Sequence, residues 1–350
     1  MKRLSILITG GAGFIGANLA RTCLAEGHKV HVFDNLSRAG VDANVRELEG
    51  DFPGLMRFTR ADVRDANAVE RAVEEADQIF HLAAQVAVTT SLEDPIDDAG
   101  TNLFGTLNLL EAVRHSGSRP AVLFTSTNKV YGRLKWVALN QTPTRYEPAD
   151  QSTREHGACE NQPLEFLSPY GCSKGSADQY VLDYARSYGV RATVFRMSCI
   201  YGPYQLGSED QGWVAHFLRQ AMKGEAITIY GDGKQVRDLL FIEDLVRAMR
   251  LAIEHPASSA EAFNLGGGVE NSVSLIELIK ELQLLTRDKI EIEWREERAA
   301  DQKWYIADTS KIRDRLEWAP QVSVRKGLGR LHEWYLARPS LIAASEAQVA

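Results

Sequence analysis

No apolar run in this chain approaches the roughly 18–20 residues that a membrane span requires. The opening Met1–Gly10 stretch has two cations and then a short apolar segment. That segment ends in glycines with no small-x-small cleavage pattern, so it reads as a buried first strand and not as a leader. Cysteine is sparse: Cys23, Cys159, Cys172 and Cys199 form no C-x-x-C pair, which implies free thiols in a reducing, cytoplasmic setting. The eight histidines show neither H-x-x-x-H nor H-E-x-x-H spacing, so no metal site is expected. Positive charge is also short, with 40 Lys and Arg against 47 Asp and Glu and no basic cluster. A nucleic-acid surface is therefore not expected. Repeats and low-complexity segments are absent as well.

What remains is a globular chain of 350 residues, long enough for two domains or for one with an elaborated lobe. Leu4–Thr9 is a near-continuous apolar run, and Phe14, Ile15, Leu19, Cys23 and Leu24 then recur at helical spacing. Further strands are expected at Val30–Phe33, Gln78–Leu82, Ala121–Thr125 and Arg191–Arg196, with helices at Leu103–His115 and Ser173–Tyr188. Such alternation of doubly buried strands with helices predicts an α/β fold, a doubly wound parallel sheet of Rossmann type. After residue 200 the rhythm breaks. Gln205–Gly212 and Gly231–Lys234 are turn-rich, Ser274-Leu275-Ile276-Glu277 fits a capping box, and Ile290–Arg295 alternates like a half-exposed strand. The expected division is residues 1–202 plus 236–269 for a nucleotide-binding domain and 203–235 plus 270–338 for a smaller mixed α/β C-terminal lobe. Residues 339–350 read as a frayed tail.

Gly10-Gly11-Ala12-Gly13-Phe14-Ile15-Gly16 directly follows the first strand and opens the first helix. Glycine permits the tight turn, lets backbone approach a pyrophosphate and lets the helix pack close to the sheet. The helix N-terminus supplies free N–H groups to the phosphates. Asp34, at the end of the second strand, is placed to accept hydrogen bonds from a ribose diol, which favours NAD over NADP; Arg38 nearby argues the other way.

Tyr170 and Lys174 stand four apart, on one face if helical. An ammonium beside a phenol favours the phenolate, which would make Tyr170 a general base for a hydroxyl proton. Thr127, in Ser126-Thr127-Asn128-Lys129-Val130-Tyr131-Gly132, closes a strand at its carboxyl edge and is placed to hydrogen-bond a reacting oxygen. Cys172 lies off the shared face and reads as packing.

These features together resemble the extended short-chain dehydrogenase/reductases, the group of sugar-nucleotide epimerases and dehydratases, over essentially the whole chain. The resemblance implies a set of cofactor contacts: Gly10, Gly13, Phe14, Ile15 and Gly16; Asp34, Asn35, Ser37 and Arg38; Asp62 and Val63 beside the adenine. It extends to Leu82, Ala83, Ala84 and Gln85, the buried Asn102, Thr125, Ser126, Tyr170, Lys174 and Ile200 under the nicotinamide. It further implies substrate contacts from Gln85, Val86, Thr127, Asn128, Lys129, Gln211, Trp213 and Val214, with Arg237 and Arg298 on the diphosphate and Asp301 nearby. Trp213 either stacks near the base or fills core.

Dehydratases of this group place an Asp-Glu pair after the threonine, where this chain has Asn128-Lys129. An amide and an ammonium cannot perform that pair's proton transfers. The Ser126–Gly132, Ser168–Gly175 and Asp210–Val214 stretches instead resemble the branch that inverts C2 of a CDP-linked hexose. The implied enzyme is an NAD-dependent isomerase that keeps and recycles its cofactor and works as a homodimer or homotetramer built on Leu103–Val113 and Tyr180–Tyr188. The alternatives are a 4-epimerase of a UDP-hexose, a net dehydrogenase and a non-catalytic NAD-binding sensor.

Overall fold

The computed structural model describes residues 2–209, 211–297 and 302–343. The chain forms two compact units. The first comprises Met1–Val130, Leu167–Arg196 and Val246–Phe263; the second comprises Tyr131–Phe166, Met197–Leu245 and Asn264–Ala350. This differs from the sequence-based division in residues 131–166, 197–202, 236–245 and 264–269, all of which join the second unit. The reason is local pairing: the Tyr131 hydroxyl donates to Asn264 Oδ1 at 2.7 Å, and the Tyr146 N–H donates to the Lys234 carbonyl at 3.0 Å.

Five strands of the first unit run parallel: β1 (Ser5–Thr9), β2 (Lys29–Asp34), β3 (Met56–Arg60), β4 (Gln78–His81) and β5 (Ala121–Thr127). With Ala192–Met197 and Glu261–Leu265 they make a seven-stranded sheet. Its order is Glu261–Leu265, Ala192–Met197, β5, β4, β1, β2, β3. Every residue of β4 and β5 is buried, as expected of strands covered on both faces. Leu7, Phe33, Ile79, Val122 and Phe124 from the sheet pack with Val69, Leu109, Leu110, Val113 and Val181 from the helices. Chain order reverses between β1 and β4. A doubly wound sheet opens its ligand crevice at the carboxyl ends of the strands there.

Helix α1 (Phe14–Ala25) follows β1 immediately, and the helix Ser168–Tyr188 packs on β5. That second helix begins five residues earlier than periodicity implied, with Pro169 in its first turn, and so contains both Tyr170 and Lys174. Cys172 is exposed on it, contrary to the packing role expected, because its position faces away from the sheet.

The second unit is built on Val236–Phe241. That strand pairs in parallel with Cys199–Tyr201 and Trp304–Tyr305, and antiparallel with Ser272–Ser274. A separate parallel pair joins Ile227–Tyr230 to Ile292–Arg295. The capping box is present: Ser274 and Glu277 bond each other's backbone N–H and open the helix Leu275–Thr286. Of the expected tail, Pro339–Ala343 is helical and residues 344–350 lie outside the described residues. Among the described residues no helix is long and apolar enough to cross a membrane.

Candidate active site

Backbone geometry dictates the glycine turn. Gly10 sits at φ +69°, where a Cβ would also fall 2.7 Å from the Ala83 nitrogen, and a Cβ on Gly16 would collide with the Gly10 carbonyl. Gly13 is the N-cap of α1 and no side chain caps that end. The first-turn N–H groups therefore point into the crevice without a side-chain acceptor, the arrangement a pyrophosphate requires. Phe14 and Ile15, the first helical residues, are half-buried.

Asp34 closes β2. Its Oδ1 accepts from Leu36 N–H at 2.8 Å and its Oδ2 from Ala12 N–H at 3.1 Å, so the carboxylate is held against the glycine turn with lone pairs left for a diol. Leu36 takes the left-handed conformation (φ +58°) to make that contact. Next to it Asn35 donates to Asp62 at 2.9 Å and accepts from Ser37 N–H at 2.9 Å, which joins the two segments expected around the adenosine. The Arg64 guanidinium holds the Asp62 carboxyl down to about 2. Val63 is buried, whereas Ser37 and Arg38 are exposed.

The strand end Leu82–Val86 is tied down by a buried relay. His81 Nδ1 lies 2.7 Å from the Thr9 hydroxyl and Nε2 lies 3.0 Å from the Thr106 hydroxyl. Thr106 donates to the Asn102 carbonyl at 2.6 Å, so His81 must donate from Nε2 and accept at Nδ1. Burial and the nearby Lys174 push the imidazole down to about 3, which keeps it neutral in this role. Thr9 accepts from Ala83 N–H at 3.3 Å, and the Asn102 amide both accepts from Gln85 N–H and donates to its carbonyl, at 3.0 Å each. Asn102 sits in the π-turn Gly100–Phe104, an irregularity that aims it at the crevice. Ala84 and Val86 are half-buried beside it.

Tyr170 and Lys174 face β5 from the helix above it. Lys174 Nζ stands 4.2 Å above the Phe124 ring, and the Thr127 hydroxyl bonds the Tyr170 oxygen. Thr127 also accepts from Lys129 N–H at 3.2 Å and lies 3.4 Å from Asn128 Oδ1; Asn128 is buried. Thr125 donates to the His81 carbonyl at 3.3 Å, whereas the buried Ser126 hydroxyl has no partner. An orphaned buried hydroxyl at the carboxyl edge of β5 fits a bound cofactor's polar group.

One sequence-based expectation fails here. Lys174 does not depress the phenol: burial pushes Tyr170 up to about 12, and burial pushes Lys174 down to about 7. Around neutral pH the pair holds a neutral phenol and an ammonium that readily gives up its proton. A phenol with an amine contains the same protons as a phenolate with an ammonium, so an internal proton shift still yields the base.

The sequence did not single out Thr9, His81, Thr106, Ser173 or Asp98, because their roles depend on contacts between distant segments. Ile200, Gln211, Trp213, Val214 and Arg237 belong to the second unit. There Ile200 pairs with Leu240 in adjacent strands, Gln211 exchanges backbone hydrogen bonds with Ser208, and Val214 is buried. Trp213 opens a helix, donates to Cys199 Sγ at 3.4 Å and meets Phe217 edge-on. Arg237 is buried with its guanidinium donating to the Val236 carbonyl at 2.8 Å. Asp210, Arg298 and Asp301 lie outside the described residues. Among the described residues no group of three His, Cys, Asp or Glu side chains is arranged to hold a metal.

The family model described as the NAD dependent epimerase/dehydratase family matches residues 6–266. CDP-paratose 2-epimerase of Salmonella typhi is 43% identical over 343 residues, 95% of this chain and 99% of the relative. The structure of UDP-glucose 4-epimerase from Thermotoga maritima with UDP-glucose superposes with a TM-score of 0.81 at 32% identity, covering 95% of this chain and 99% of that one. DesIV, a dTDP-glucose 4,6-dehydratase from Streptomyces venezuelae solved with NAD, gives 0.82 at 29% identity over 96% and 98% of the two chains.

Proposed function

Because this chain belongs to the NAD dependent epimerase/dehydratase family, and is thus an NAD-dependent sugar-nucleotide isomerase, we propose that it inverts C2 of a CDP-linked hexose. The conversion is of the CDP-paratose to CDP-tyvelose type, with CDP-glucose to CDP-mannose as the non-deoxy counterpart. The observation that carries this reading is the 43% identity over nearly the full length of both chains to a CDP-paratose 2-epimerase. The Asn128-Lys129 pair supports it, since neither side chain supplies the acid and base that dehydration needs.

NAD, when bound on the glycine turn and Asp34, supplies reversible hydride acceptance at the sugar carbon. Tyr170 takes the C2 hydroxyl proton into the Tyr170–Lys174 pair and later returns it. Thr127 holds the same oxygen through both half-reactions, and Lys174 keeps the proton available to Tyr170. Between the half-reactions the oxidised sugar must present its opposite face, so the nucleotide has to stay clamped while the sugar turns. Arg237, and Arg298 outside the described residues, take the diphosphate in this scheme, with Gln85, Val86, Asn128, Lys129, Gln211, Trp213 and Val214 around base and sugar. No net redox change occurs, so the cofactor is retained and recycled.

Exposed Leu92, Ile96, Phe104, Tyr180 and Tyr188 on helices of the first unit support a homodimer formed on that face. The four free thiols support a cytoplasmic setting. A UDP-hexose 4-epimerase is the second reading, favoured by the likeness to the Thermotoga maritima enzyme. Proton NMR of the product from CDP-paratose or CDP-glucose separates them. The 2-epimerase reading expects the tyvelose- or manno-configured sugar, and a product inverted at C4 would defeat it.

A further inference from the structure

Two carboxylates are buried along the helix that carries Tyr170 and Lys174, and they are not equivalent. Asp178, one turn past Lys174, is fully buried and paired with Arg196 through two bonds of 2.9 Å, so a guanidinium offsets its charge. Asp98, from the short helix Pro95–Ala99, is 1% exposed and its carboxylate is hydrogen-bonded by neutral groups. Its Oδ2 accepts from the Ser173 hydroxyl at 2.5 Å, and its Oδ1 accepts from the Asn102 amide at 3.1 Å. Ser173 is the residue immediately before Lys174, and Asn102 is the side chain that holds Gln85. A buried carboxylate with no cation hydrogen-bonded to it is costly unless a nearby charge benefits from it.

We propose that Asp98 is a positioning residue whose carboxylate, fixed by Ser173 and Asn102, tunes the proton affinity of the Tyr170–Lys174 pair. The inference rests on the assignment of Tyr170 and Lys174 as the proton-handling pair. A negative charge here favours the ammonium of Lys174 and disfavours the phenolate of Tyr170, and both effects bind the pair's proton more tightly. It opposes the burial that drives Lys174 towards the amine. The other groups facing the pair differ from Asp98. Asp178 also favours the ammonium of Lys174 but shares its charge with Arg196 and does not act on Tyr170, so Asp98 is the carboxylate that acts on both members of the pair. His81 is neutral, and the exposed Asp97 is in an ion pair with Arg64 at 2.5 Å. The same carboxylate also links the pair to the Gln85 segment through one amide, so charge and geometry are set together.

Asp98→Asn removes the charge and keeps the shape. The amide oxygen still accepts from Asn102 and its NH2 donates to Ser173, whose hydroxyl then turns to the Tyr170 carbonyl, 3.2 Å away. The test is carbon NMR of the NAD-loaded protein labelled at tyrosine Cζ and lysine Cε, with the two resonances assigned by their loss in Tyr170→Phe and Lys174→Met. In Asp98→Asn the pair should release its proton about half to one pH unit lower, and the acid limb of the pH–rate profile should move by the same amount. An unmoved or upward midpoint would overturn the proposal, and so would an equal shift in the control Asp97→Asn. If Asp98→Asn fails to fold, the double variant Asp98→Ala, Ser173→Ala removes both ends of the short bond and reads the same downward shift. The titration needs no substrate. An active Tyr170→Phe would refute the base assignment without bearing on Asp98, whereas a static midpoint beside an inactive Tyr170→Phe would refute only the role given to Asp98.

Discussion

The two ends of the crevice solve opposite problems. At the glycine turn the ligand is an anion, and the protein answers with backbone: Gly10 and Gly16 bring main chain close, and the uncapped start of α1 offers N–H donors that do not titrate. At the far side of β4 the task is moving a proton, and the protein buries two titratable side chains, Tyr170 and Lys174, against β5. The first end depends on steric room. The second depends on the balance between burial and neighbouring charge, and there burial wins: the phenol rises and the ammonium falls. Damage to the first should empty the site, and damage to the second should stop chemistry in a full site.

The largest separation of the two is expected from Tyr170→Phe. Turnover should fall by about three orders of magnitude while the NAD content after purification stays normal, measured by initial rates and by release of cofactor on acid denaturation. Next comes Gly10→Ala. It forces a side chain into φ +69° and onto the Ala83 backbone, a strain of about 1–3 kcal/mol. Melting temperature and NAD content should fall together, unlike in Tyr170→Phe. Asp34→Ala removes the ribose acceptor and the ties to Ala12 and Leu36, so NAD affinity should weaken by about tenfold or more in calorimetric titration, with kcat at saturating NAD reduced much less. The smallest effect is one of pH. With Lys174 lowered to about 7, the pair loses its first proton near neutrality, so kcat should rise through about pH 7. NAD binding on the glycine turn should stay flat across the same range.

How legible each end was in the sequence follows from the same contrast. The glycine turn is local: its spacing and the strand and helix around it lie within two dozen residues, so motif, fold and cofactor could all be read there. The Ser274–Glu277 capping box was readable for the same reason. Strand β3, Met56–Arg60, was not, because this edge strand interleaves Arg57 and Arg60 with half-buried residues and never forms an apolar run. Glu261–Leu265 was missed as well, being a short strand whose burial comes from its neighbour Ala192–Met197. At the proton-moving end the spacing of Tyr170 and Lys174 was visible, but the direction of their shifts was not. That direction depends on burial against β5, and the charge that acts on both groups, Asp98, lies 72 residues before Tyr170 in the chain and meets its helix at Ser173. Proton affinity is a sum over surroundings assembled from distant segments, and no window of sequence contains it.

The most direct test of the whole account follows the hydrogen at C2. CDP-glucose, or CDP-paratose if the enzyme requires the deoxysugar, is deuterated at C2 and turned over in ordinary water with the NAD-loaded protein, and the inverted product is read by mass and proton NMR. Reversible hydride transfer within a closed site, with Tyr170 handling only the hydroxyl proton, predicts that deuterium remains at C2 of the epimer. Its replacement by solvent hydrogen would mean that C2 is deprotonated outright, and would contradict both the role given to Tyr170 and the reason for holding the cofactor in place.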